Sequence, residues 1–140
     1  MVSFTMCLKS GAFTNAAVIQ TCMEILTDVS RENKCIVPAY CFMPDHQHTI
    51  IYGQDEASDT WAVASLYKQK TGYAFSQHSY NCVWQKDFYD HIIEKEKDYK
   101  NQIWYVLNNP VRKGLVKRWE EYPFVGSINC DVNEFLQGMV

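Results

Sequence analysis

Cys35-Ile36-Val37-Pro38-Ala39-Tyr40-Cys41-Phe42-Met43, then Pro44-Asp45, then His46-Gln47-His48-Thr49-Ile50-Ile51-Tyr52 is the stretch on which the fold turns. The run from Cys35 to Met43 is rich in β-formers and reads as a strand. Pro44-Asp45 is a turn signal, and His48 to Tyr52 continues as a further strand, so the two form a hairpin or a close antiparallel pair. His46 and His48 are two apart. On an extended chain that spacing puts both imidazoles on one face and sends Gln47 to the other.

Working outward, Val2 to Leu8 reads as a first strand, stopped by Gly11. Thr14 or Asn15 can cap a helix running to about Asn33. Its apolar residues Val18, Cys22, Ile25, Leu26 and Val29 recur at three and four, the pattern of a helix packed on something flat. Gly53 to Asp59 is a polar loop. Ala62 to about His78 reads as a second helix, in which Gly72 costs about 1 kcal/mol relative to Ala. Val83 to Ile93 reads as a fourth strand, containing His91. Glu94 to Asn109 reads as a third helix, with acids in its first turn where the dipole favours them. It is expected to end before Pro110, because a residue preceding proline is pushed out of the α region. A short turn closed by Gly114 follows. The tail from Trp119 carries no pattern that places it. The order strand-helix-strand-strand-helix-strand predicts an α+β fold: the ferredoxin-like split β-α-β antiparallel sheet, with an added C-terminal helix that carries Tyr105.

The 140 residues are read as one domain, 1–140, large enough to bury a core. No apolar run approaches the roughly 20 residues of a membrane span, and the N-terminus has no signal-peptide pattern, so a cytoplasmic protein is expected. The six cysteines form no C-x-x-C pair and sit mostly in apolar runs, which favours reduced, buried thiols. No phosphate-binding glycine loop, dinucleotide fingerprint or G-x-S-x-G elbow is present, which argues against an ATPase, a dinucleotide enzyme or an α/β-hydrolase.

The net charge is −3, yet the charge is polarised. Thr60 to Lys86 holds Lys68, Lys70 and Lys86 and no Asp or Glu. Lys100 to Arg118 holds Lys100, Arg112, Lys113, Lys117 and Arg118 and again no acid. Such a globule can carry a phosphate-binding face despite an acidic total. A chance gap plus a solvated helix face would give the same windows.

Two imidazoles on one strand face make half of a metal site. Histidines beside a turn are more often surface or satisfied core groups. Tyr105 lies among Asn101, Asn108 and Asn109 on a polar helix stripe, opposite an apolar stripe of Ile103, Trp104, Val106, Leu107 and Val111, which turns it toward a site rather than the core. A strand with two metal ligands and a helix with a phenol and an amide suit metal-assisted phosphoryl transfer by a tyrosine nucleophile.

Four blocks carry a family resemblance. Met43-Pro44-Asp45-His46-Gln47-His48 resembles the M-P-[ND]-H-x-H segment of single-tyrosine HUH transposases, in particular the REP-associated tyrosine transposase branch. Val83 to His91 resembles that branch's W-Q-x-x-F-Y-D-H block. Tyr105 to Val116 resembles its Y-I-x-x-N-P-V-R-A-G-L-V block, and Tyr122-Pro123-Phe124 the Y-P-[WF] that follows. The resemblance implies metal-dependent cleavage and rejoining of single-stranded DNA, usually beside a hairpin. Tyr105 would be the nucleophile, forming a 5′-phosphotyrosine link. His46 and His48 would hold a divalent metal, Mg²⁺ or Mn²⁺, with Asn109 at the position of the third ligand. Lys68, Lys70, Arg112 and Lys113 are candidates for phosphate-backbone contacts. Related transposases pair active sites across a homodimer, while members of this branch can be monomers. A non-catalytic nucleic-acid-binding descendant and a replication-initiator-like nickase are the alternatives. One departure stands out. The family favours an apolar residue between the histidines, and Gln47 there requires a polar partner behind the strand or signals relaxed selection.

Overall fold

In the computed structural model, which describes residues 1–138, the turn Pro44-Asp45 joins β2 (Cys35–Met43) to β3 (His46–Gly53). Met43 faces His46, and the antiparallel ladder runs on from Phe42↔Gln47 and Cys41↔His48. β1 (Val2–Ser10) pairs with the other side of β3, placing Thr5 opposite His48 and Cys7 opposite His46. The chain continues through α1 (Ala16–Glu32), capped by the Asn15 side chain on the Ala17 amide, and α2 (Thr60–Gln77), capped by Asp59 on Ala62.

All nine residues of β2 are buried, although Pro38 has no N–H to give to a ladder. The sheet absorbs the proline as an irregularity. The register with β3 shifts between Ile36 and Ala39, and that with the last strand between Val37 and Tyr40. The shift also changes which residues face which way. Cys35 and Val37 before it, and Tyr40 and Phe42 after it, pack with α1 and α2, while Ala39, Cys41 and Met43 face the other side.

The fourth strand differs from the expectation of one run over Val83 to Ile93. It is two segments, β4 (Val83–Trp84) and β5 (Tyr89–Ile92), both antiparallel to β1. Trp84 faces Leu8 and Tyr89 faces Thr5, so the edge chain has more residues than β1 between these pairs and loops out of the ladder. The third helix is also shorter than expected. α3 (Glu96–Leu107) stops at Asn108, whose side chain bonds back to the Trp104 carbonyl at 2.9 Å. Asn109 is helical after all and opens α4 (Asn109–Arg112). Pro110 sits in the first turn of α4, where its missing N–H costs nothing.

The tail is ordered structure. After a 3₁₀ turn (Trp119–Glu121), β6 (Val125–Ile128) pairs with the free side of β2, and α5 (Val132–Gly138) follows. The sheet reads β4-β1-β3-β2-β6, with β5 continuing the β4 edge along β1. One face carries α1 and α2 over Phe4, Phe13, Phe42 and Trp84; the other carries α3 and α5 over Cys41, Met43 and Ile50. Among the described residues no helix is long and apolar enough to cross a membrane.

Candidate functional site

The histidine face of β3 is the α3 face of the sheet. His46 and His48 alternate with Gln47 and Thr49, which are buried on the α1/α2 side. α3 crosses the histidine face with Ile103, Val106 and Leu107 buried against the sheet and Tyr105 half exposed at its rim. The Tyr105 ring meets the His48 ring edge to face at 6.0 Å between centroids. Asn109, one helical turn on and buried, brings its amide 3.3 Å from His46 Nε2. The amide's N and O exchange by a flip about χ2, so either atom can face the imidazole.

Each histidine has a further polar partner. Asp45 Oδ1 lies 2.8 Å from His46 Nδ1. That bond holds the Asp45 carboxyl below the usual carboxylate range. When Nδ1–H donates to Asp45, the lone pair of Nε2 points at Asn109, the arrangement that orients a metal-binding imidazole. His48 Nε2 lies 2.7 Å from Ser3 Oγ on β1. Burial pushes His48 down to about 4, with the charges of His46 and Arg112 adding to the shift. His48 is therefore neutral at physiological pH, as a ligand must be.

The structure brings together His46, His48, Tyr105, Asn109 and Arg112. The Arg112 guanidinium lies over the Tyr105 ring, its Cζ 3.7 Å from the centroid. Lys113 follows at the end of α4, close enough for its charge to act on Asp45. Lys68 and Lys70 are elsewhere. They lie on α2, whose buried residues pack on the opposite face of the sheet. Lys68 Nζ donates to the Lys86 carbonyl and sits 5.8 Å from the Phe88 ring. Lys68 and Lys86 line a groove of about 800 Å³ between α2 and the β4–β5 edge, together with Gln69, Gln85 and Trp84; Lys70 does not line it. None of the histidine-face residues lines that groove.

Sequence reasoning missed Ser3, whose partner lies 45 residues away, and favoured a turn role for Asp45 over one in assisting the site. The strand period of Ser3, Thr5 and Cys7 was the one available signal. His91 lies exposed on β5, opposite Ser3. The six cysteines are free, four of them buried. Among the described residues no three His, Cys, Asp or Glu side chains converge. The donor set at the site is thus two imidazoles, one amide and one hydroxyl. These neutral N and O donors fit a hard or borderline divalent cation that keeps other positions for water or phosphate.

A family model described as "Transposase IS200 like" matches residues 2–109. The chain is 30% identical over 108 residues to the REP-associated tyrosine transposase of Escherichia coli K12, covering 75% of this chain and 62% of that protein. It is 28% identical over 106 residues to the "Putative REP-associated tyrosine transposase" of Haemophilus influenzae, covering 67% of this chain and 59% of the relative. The chain thus spans about three fifths of the length of these curated relatives. A solved structure of a REP-associated tyrosine transposase bound to a REP hairpin superposes with a TM-score of 0.72 at 25% identity, over 89% of this chain and 74% of that one. With most of its length matched by the family model and the sheet, histidine pair and tyrosine helix in place, the chain belongs to the IS200-like transposase family.

Proposed function

We propose that this chain cleaves and rejoins single-stranded DNA beside a hairpin, with Tyr105 as the nucleophile. The observation that carries the reading is the meeting of two elements. Tyr105 stands against His48, and one turn further on Asn109 reaches the free nitrogen of His46. A phenol with a pKa near 10 is a weak nucleophile at neutral pH, so it needs a polarised phosphate and in-line geometry.

His46, His48 and Asn109 would hold a divalent metal, Mg²⁺ or Mn²⁺. When bound, such an ion withdraws charge from the scissile phosphate. Asp45 keeps His46 in the right tautomer, and Ser3 fixes the rotation of His48. Tyr105 Oη attacks phosphorus and the bond to the 3′ oxygen breaks. The phenol proton leaves to water, and the departing oxygen takes one up. The products are a 5′-phosphotyrosine and a free 3′-hydroxyl. One phosphodiester replaces another, so rejoining needs no nucleotide cofactor, in keeping with a sequence that has no phosphate-binding glycine loop.

Arg112, over the Tyr105 ring, and Lys113, beside Asp45, would contact the phosphates flanking the scissile bond. Lys68 and Lys70, on the far face, would contact a different part of the DNA, such as the hairpin arm. The reaction belongs where DNA is, in the cytoplasm.

Hairpin-bearing single-stranded oligonucleotides incubated with the protein and Mn²⁺ test the reading on a denaturing gel. A covalent adduct is expected, lost in Tyr105→Phe and in EDTA. No adduct across a broad oligonucleotide pool would overturn the reading. An adduct that survives Tyr105→Phe would overturn the choice of nucleophile.

A further inference from the structure

Gln47 stands between the two histidines and is 1% exposed, an amide in the middle of the α1/α2 core. Burying an amide is unfavourable unless both of its ends are bonded. Both are. Gln47 Nε2 donates to Thr49 Oγ1 at 2.8 Å, and Gln47 Oε1 accepts from the hydroxyl of Tyr67. Tyr67 belongs to α2 and is itself fully buried, with the Cys22 thiol against its hydroxyl. Burial raises the Tyr67 phenol well above its ordinary range, so its O–H stays a donor at any working pH.

The chain of bonds runs further. Thr71, one turn along α2, donates to the Tyr67 carbonyl at 2.7 Å and accepts from Trp84 Nε1 at 2.8 Å. A continuous polar thread therefore links the β4 edge, α2 and the back of the histidine strand. An apolar residue at 47 would hold the strand by packing alone, which has no direction. The bond to Thr49 orients the amide within β3, and the bond from Tyr67 ties the strand to α2, which fixes its depth and its rotation about its own axis. His46 and His48 project from the same backbone units on the opposite face, so that rotation sets where their nitrogens point.

We propose that Gln47 and Tyr67 form a positioning pair, which aims His46 and His48 at a shared divalent cation from the far side of the sheet. The inference rests on the metal reading of the two histidines and goes beyond it by giving α2 a role in metal affinity.

The test separates aim from stability. Mn²⁺ binding to the full chain is titrated by electron paramagnetic resonance of the free ion, and thermal unfolding is followed without metal. Tyr67→Phe strands the Gln47 carbonyl, and both melting temperature and Mn²⁺ affinity fall. In a Thr49→Val background, which removes the third polar group of the set, Gln47→Leu with Tyr67→Phe removes both partners and leaves an apolar core. Such a replacement is close to neutral for folding, so the melting temperature recovers while Mn²⁺ affinity stays about tenfold weaker, the size of effect seen when a group behind a ligand is lost. A combined variant that regains wild-type affinity along with its stability would overturn the proposal, because the pair would then be only a core contact. A combined variant that is equally weak in both would also overturn it, since affinity would merely track folding. Wild-type protein that binds no Mn²⁺ would overturn the metal reading, and the positioning role with it.

Discussion

The Arg112 guanidinium lies on the face of the Tyr105 ring, Cζ to centroid 3.7 Å, so the candidate nucleophile and a candidate phosphate-binding cation touch in the chain without DNA. A cation on a partly exposed ring contributes about 0.5–1 kcal/mol. The same guanidinium remains within reach of a phosphate delivered to the phenol.

Arg112→Ala is therefore expected to slow adduct formation by roughly tenfold or more, since it removes both the clamp on the ring and a phosphate contact. Arg112→Lys keeps the charge but loses the planar stack, and falls between the two. Single-turnover gels at saturating oligonucleotide measure this. Equal rates for wild type and the alanine variant would remove Arg112 from the site.

Asn109→Ala takes the amide from beside His46. The Mn²⁺ concentration for half-maximal adduct yield should rise by about tenfold or more. Asn109→Asp supplies a carboxylate, a harder donor for the same cation, and should move that concentration the other way. A metal series on the gel assay reads both, and two variants shifting together in one direction would contradict a ligand role.

Gly11 holds φ at +86° where β1 leaves the sheet, and a Cβ built there would lie 1.8 Å from the Asn81 carbonyl oxygen. Gly11→Ala combines left-handed strain with a backbone clash that cannot relax by a side-chain rotation. A loss of about 2 kcal/mol or more is expected from chemical denaturation. A neutral result would mean that the Asn81 loop moves freely away from β1.

Burial pushes the Cys22 and Cys41 thiols up to about 12. The thiolate is the reactive form, so a raised pKa means less of it at any pH below that value. Between pH 7 and 9 these two should resist iodoacetamide in the folded protein, while the more accessible Cys7 is labelled first. All six should react in denaturant. Mass spectrometry of peptides from timed quenches checks the order, and rapid native labelling of Cys22 would contradict the packing under Tyr67.

The hairpin of β2 and β3 was legible from its β-formers and the Pro44-Asp45 turn, and the first helix from apolar residues recurring at three and four. Gln47 was legible as a problem, and the structure supplies the partner in Tyr67, twenty residues away. The split of the edge strand was hidden because Lys86 to Phe88 leave the ladder without changing composition, while Gln85 still donates to the Cys7 carbonyl. Asn108, not Asn109, breaks the tyrosine helix, because proline two residues on fits the first turn of a new helix as well as it ends an old one. β6 is short and contains Gly126, so only the open side of β2 makes it a strand. The contact of Ser3 with His48 depends on register across β1 and β3, which no local pattern carries. Lys68 and Lys70 share an acid-free window with no residue of the histidine face, and charge along a sequence does not tell one side of a sheet from the other.

The two-residue turn at Pro44-Asp45 sets the parity of everything after it. Met43 opposite His46 leaves no slack, so one residue more or fewer there would exchange the two sides of β3 rather than slide them. Two imidazoles would be driven into a hydrocarbon interior and an amide and a hydroxyl turned outward in their place. Length at this turn is therefore under tighter constraint than identity: a substitution here degrades the molecule by degrees, but a single-codon insertion or deletion erases it in one step.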